Sequence, residues 1–187
     1  MIRQRGMPAR SPGRVATAVV VAMVAAAIAA VAAIGATGGG RSTADVSRAT
    51  AKFHRLAVAK SAGYGLLRDK DGVACIAMDD MPGMGAMGVH YAKNALVADG
   101  ALDPSRPEAV VYAPERGALR LAAVEYVVLK AAWDAKHAAA PSLFGHSFDV
   151  TPGGNRFGLP AFYSLHAWIW KQNPAGRFAM WNPTVKC

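Results

Sequence analysis

The stretch "AVVYAPERGALRLAAVEYVVL", residues 109–129, decides how this chain folds. Ala109–Ala113 and Leu119–Leu129 are rich in branched and aromatic residues, and the block between them, "PERG", carries proline and glycine. That pattern predicts two strands joined as a hairpin. On the longer strand Glu125 projects with Leu121, Ala123, Val127 and Leu129, because side chains alternate between faces. A carboxylate on an apolar face is costly unless it has a partner. The segment that defines the fold therefore also poses the functional question.

Upstream, "GVACIAM" reads as a strand after the turn "RDKDG", and "MGVHYA" as a short strand. "LDPSRPE" is a loop, since Pro104 and Pro107 interrupt regular structure. Before these, Val46, Ala49, Phe53, Leu56, Ala57 and Lys60 recur at helical spacing, with Arg48, Lys52 and Arg55 opposite. Ser42 or Thr43 caps that helix and "GYG" at residues 63–65 stops it. Downstream, "AAWDAKHAAA" suits a short helix and "DVTPGGNRFGLP" a long polar loop. "AFYSLHAWIW" is the strongest late strand, and "RFAMW" is placed to pair back after "NPAG". The expected class is α+β: an N-terminal signal or anchor helix, then one amphipathic helix packed on an antiparallel sheet or open β-barrel.

The ends indicate the compartment. Arg3, Arg5, Arg10 and Arg14 precede an apolar run from Val15 to Ala36, with no acid before Asp45. As a helix those residues span about 33 Å, enough for about 30 Å of hydrocarbon. Residues 1–36 are therefore expected to be a signal peptide or transmembrane anchor, 37–43 a linker, and 44–187 an exported globular domain. The domain would be secreted, or held on the cytoplasmic membrane if the anchor stays uncleaved. The first forty residues hold four arginines and no acid, so residues 41–187 carry only +5 of the chain's formal +9. Their basic residues are scattered singly, and nucleic acid is not an expected partner. Cys75 and Cys187, an even pair in an exported domain, suggest one disulfide.

Two strands carry histidine. In "GAMGVHYA", Met87, Val89 and Tyr91 share one face, Gly88 and His90 the other. In "AFYSLHAWIW", Phe162, Ser164, His166, Trp168 and Trp170 share one face. His90, Glu125 and His166 are thus expected to converge on one pocket, with Trp168 and Trp170 as an aromatic platform. His146 is a fourth candidate. Two imidazoles and a carboxylate can hold zinc or iron(II) with positions left open, or act as an acid–base pair. A hydrogen-bonded pair that merely satisfies buried polar groups is the plainer alternative.

The segment "MDDMPGMGAMGVH", residues 78–90, allows three readings. Met78, Met81, Met84 and Met87 offer soft thioethers for copper(I). Gly83, Gly85 and Gly88 spell G-x-G-x-x-G, though Asp79 and Asp80 separate them from the preceding strand and would repel a pyrophosphate. The third reading is structural: glycines that let a loop turn and feed a strand.

"GAMGVHY" at 85–91, the "LDP…PE…Y" segment at 102–112, "AVEY" at 123–126 and the tail "LHAWIWKQNPAGRFAMWNPTVKC" at 165–187 carry a resemblance. Together they resemble an uncharacterised family of small exported bacterial proteins. The resemblance covers about Cys75 to the end and brings no activity, substrate or cofactor. It implies that His90, Glu125, His166 and the tail belong to one design, and that the methionine spacing is incidental. The expected function is binding of a small polar ligand or metal ion at a His/Glu/Trp-lined pocket. Copper(I) binding and a structural envelope role are the alternatives.

Overall fold

A computed structural model describes residues 42–78 and 80–187. The signal or anchor segment expected over residues 1–36 and most of the linker lie outside the described residues. Among the described residues, no helix is long and apolar enough to cross a membrane.

The chain is mixed α+β, with few and short helices. It opens with α1 (Thr43–Thr50), a 3₁₀ turn (Ala51–His54) and α2 (Leu56–Ser61). Strands β1 (Gly65–Leu66), β2 (Cys75–Ala77) and β3 (Ala86–Ala92) follow, then α3 (Asn94–Val97). The expected hairpin is β4 (Ala109–Glu115) and β5 (Ala118–Leu129), followed by α4 (Lys130–Asp134). Short strands β6 (Ser142–Leu143), β7 (His146–Ser147) and β8 (Asp149–Thr151) precede β9 (Phe162–Ala167).

Arg116 and Gly117 both have positive φ, 49° and 76°, as a two-residue turn between twisted strands demands. The main sheet runs β1-β3-β4-β5-β9-β8, with β2 also on β3, and its pairings are antiparallel. It is an open sheet, not a closed barrel.

The sheet buries both faces. One packs Val89, Tyr91, Val110, Tyr112, Val124 and Tyr126 against the N-terminal helices through Val46, Phe53 and Ala59. Tyr112 donates its hydroxyl to the Phe53 carbonyl at 2.7 Å, and Tyr64 donates to Pro107 at 2.7 Å. Ser42 caps α1 and Asp45 returns a bond to the Ser42 amide. The single helix expected between the cap at Ser42 or Thr43 and the stop at residues 63–65 is broken at Arg55, whose backbone is extended (φ −91°, ψ 100°). The break shifts the helical phase, so Ala59 is buried while Ala57 and Lys60 are exposed.

The opposite face is covered by the C-terminal tail. Ala86, Val111, Ala113 and Ala123 pack with Trp168 and Val185. Asn182 bridges to Ala86 by two backbone hydrogen bonds of 3.1 and 3.2 Å. Cys75 and Cys187 form the expected disulfide, with Cα atoms 5.6 Å apart, tying the last residue to β2. A disulfide suggests an oxidising, extracytoplasmic environment.

The glycines of residues 83–88 feed strand β3, not a helix, so the amides a dinucleotide pyrophosphate needs are missing. Gly85 (φ +76°) lies against the tail: a Cβ there would sit 2.1 Å from the Asn182 oxygen. Gly83 (φ +94°) has open space around it. Gly85→Ala is therefore expected to cost about 2–4 kcal/mol, backbone strain plus overpacking. Gly83→Ala should cost only about 1–2 kcal/mol. Chemical denaturation of both variants checks this, and equal losses would remove the tail contact as the cause.

Candidate metal centre and its cavity

His90 lies on β3, Glu125 on β5 and His166 on β9. Register places Glu125 directly opposite His166 and opposite Ala109 on its other side, while His90 pairs with Val111. Strands are about 4.8 Å apart, so β3 and β9 are separated by about 14 Å, roughly the combined reach of two imidazoles leaning inward. Ala109 and Ala123 carry only methyl groups on this face and leave the space between them clear.

The three side chains meet there. Nε2 of His90 is 3.2 Å from Nε2 of His166. Glu125 places Oε2 3.5 Å from His90 Nε2 and Oε1 3.6 Å from His166 Nδ1. All three residues are buried. Among the described residues they are the one group of three or more His, Cys, Asp or Glu able to hold a metal ion, with one donor atom from each within 4.8 Å of the others.

Burial sets their charge. Glu125 is pushed up from 4.5 to about 8 by loss of hydration, against the nearby Ser164 hydroxyl. His90 is pushed down from 6.5 to about 4 by the same cause; the Gly88 backbone opposes this, though Nδ1 finds no hydrogen-bond partner. His166 lies well below its ordinary value, through burial first and then the neighbouring His90. Burial thus disfavours the charged form of all three groups.

A cavity of about 90 Å³ opens over His90 and Glu125. Its walls include Met87, Phe157, Leu159 and Phe162, with Ser164 beside the two ligands. Phe157 and Leu159 come from the loop expected to be merely polar. Arg156 holds that loop down by donating from Nη2 and Nε to Asp69 Oδ2 at 2.6 and 3.1 Å. The Lys70 amide donates to the Arg156 carbonyl. Those Arg156 hydrogen bonds are the main reason that Asp69 stays below the usual carboxylate range. Asp69→Asn is expected to speed amide hydrogen exchange at Lys70 and across residues 156–159. The β4 and β5 amides should keep their protection. Unchanged exchange in the loop would show that other contacts hold it.

Other expected site residues lie elsewhere. His146 is exposed on β7 with its ring 4.1 Å from Phe178. Trp168 is buried, its ring nearly parallel to that of His166 with centroids 6.2 Å apart, and its Nε1 donates to the Ala179 carbonyl at 2.7 Å. It is tied to the tail and offers no open platform. Strand β9 ends at Ala167, and Trp170 packs instead with the helix-side core, edge-on to His54. The four methionines are divided. Met81 and Met84 are exposed, Met78 and Met81 line a shallow depression with Lys186, and Met87 lines the histidine cavity.

Met87 had been expected on the face of Val89 and Tyr91. The β2–β3 register skips it, pairing Ile76 with Gly88 and Ala77 with Ala86, and that bulge turns Met87 toward His90. Leu121 is likewise turned to the helix-side core by a bulge opposite Val111 and Tyr112. Sequence reasoning also passed over Glu108. It is buried, accepts from the Val127 amide at 3.0 Å, and is pushed up to about 8 mainly by burial. An acid directly before an apolar strand was the available signal.

Compared with protein-family models, curated proteins and solved structures, the chain matches none of them. The motif resemblance therefore stands on the motifs alone, and the functional argument on geometry.

Proposed function

We propose that this is an exported metal-binding domain in which one zinc or iron(II) ion sits among Nε2 of His90, Nε2 of His166 and a carboxylate oxygen of Glu125. The observation that carries the reading is the donor spacing. Metal bonds of 2.0–2.1 Å place neighbouring donors about 3.0–3.4 Å apart. The two Nε2 atoms stand 3.2 Å apart and His90 Nε2 stands 3.5 Å from Glu125 Oε2, with one donor of each residue within 4.8 Å of the others. The Glu125–histidine contacts, 3.5 and 3.6 Å, are long for hydrogen bonds, and His90 Nδ1 has no partner, so hydrogen bonding within the cluster accounts for only part of it. Three protein ligands leave coordination positions free toward the cavity, the arrangement of a site that binds or transforms a small molecule. Residues 1–36 would deliver the domain and, if uncleaved, tether it to the membrane.

A second reading is an acid–base array without metal. The approach of Glu125 Oε1 to His166 Nδ1, 3.6 Å, favours it. Metal analysis of the full chain separates the two. One ion per chain is expected after equilibration with zinc, with affinity falling more than about 100-fold in His166→Ala, beyond the cost of losing a supporting partner. Substoichiometric metal that His166→Ala leaves unchanged would end the metal reading.

A further inference from the structure

We infer that the cavity over His90 and Glu125 takes a small uncharged organic molecule with an apolar body and a single hydrogen-bonding end, of the size and class of a short-chain alcohol. The inference rests on the proposed metal site for its polar end and on the cavity walls for everything else. Leu67, Val97, Val127, Phe157 and Met180 surround the space with hydrocarbon and thioether. Polar groups occur at His90, Glu125 and Ser164, with Asn94 and Thr151 as the remaining ones.

Among the described residues no lysine or arginine lines the cavity, so a carboxylate or phosphate would enter without a counter-charge. Glu125 is the one acid among the described residues that line the cavity, and the proposed ion engages it, which leaves no free carboxylate to hold an organic cation. A sugar would leave most of its hydroxyls against hydrocarbon. The volume, about 90 Å³, is small against the roughly 300–1,000 Å³ of clefts that take drug-sized ligands. That favours a molecule of a few heavy atoms over a nucleotide or an oligosaccharide. With the polar end at an open metal position or at Ser164, the body lies between Phe157 and Phe162.

The test uses the full chain with and without zinc, its methionine methyls carbon-13 labelled, and 1-butanol, acetate and glucose as probes. So small a ligand binds weakly, with roughly millimolar affinity. Saturable 1-butanol shifts at the Met87 and Met180 methyls are expected, with Met81 and Met84 unmoved, and no such response to acetate or glucose. Val97→Trp, which fills the cavity from α3, should weaken butanol binding more than about ten-fold while leaving zinc uptake intact. Absent shifts at Met87 and Met180, or equal shifts with acetate or glucose, would overturn the inference. Butanol binding without zinc uptake would sustain it while removing the metal reading. Zinc uptake without butanol binding would do the reverse. The methyl shifts in the unaltered chain decide the matter even if Val97→Trp does not fold.

Discussion

Replacing Cys75 and Cys187 together by alanine is expected to lower the unfolding free energy by about 4–5 kcal/mol. The bridge joins residues 112 apart, so in the unfolded chain it removes the entropy of a very long loop. In the folded protein it fastens the tail that covers one face of the sheet, where Val185 and Trp168 pack on Ala86 and Val111. Met180, a wall of the cavity, belongs to the same tail. Urea denaturation of the oxidised protein and the double variant measures the difference. A loss below about 1 kcal/mol would mean that the tail stays docked by its own contacts and that the unfolded chain gains little freedom.

The stability of the metal-free protein should depend on pH in a way set by four buried groups. Glu125 and Glu108 titrate near 8 when folded and near 4.5 when unfolded. Their contribution is fully present below about 4.5 and is lost as pH rises to about 8. His90 titrates near 4 folded and 6.5 unfolded, and His166 is shifted the same way. Their contribution is present above 6.5 and is lost as pH falls. Between 4.5 and 6.5 the two pairs oppose each other and stability is nearly level. From 6.5 to 8 the glutamates act alone, and stability falls by several kcal/mol in order of magnitude. Glu125→Gln should remove roughly half of that fall. Zinc should oppose it too, because the ion needs Glu125 ionised and takes up its charge. Denaturation midpoints at intervals across this range, with and without zinc, test the sign at each step. Stability rising from pH 6.5 to 8 without metal would show that the cluster is not buried as described.

The hairpin of β4 and β5 was legible because its cues are local: apolar, branched runs and a proline–glycine turn. The disulfide was legible by count, since two cysteines in a domain expected to be exported leave one pairing. Alternation correctly put His90 opposite Val89, and His166 on the face of Ser164. Alternation failed wherever one extra residue entered a strand. The bulges at Met87 and near Leu121 reversed their faces, and the early end of β9 released Trp170. The helix phase failed for the same kind of reason, a break at Arg55 that no spacing announces.

By itself the sequence determined the central hairpin and the two histidine-bearing strands, though not the short strands β1, β6, β7 and β8 nor the absence of a strand at "RFAMW", together with the bridge and the three polar residues that an apolar sheet face would have to accommodate. Only the tertiary structure decided that they meet. Their meeting depends on three successive strand registers and on the small side chains of Ala109 and Ala123 between them. It depends also on a tail and a latched loop that close the cavity from far along the chain. Those are long-range pairings, whose energies come from partners tens of residues away, so no local window of the sequence contains them.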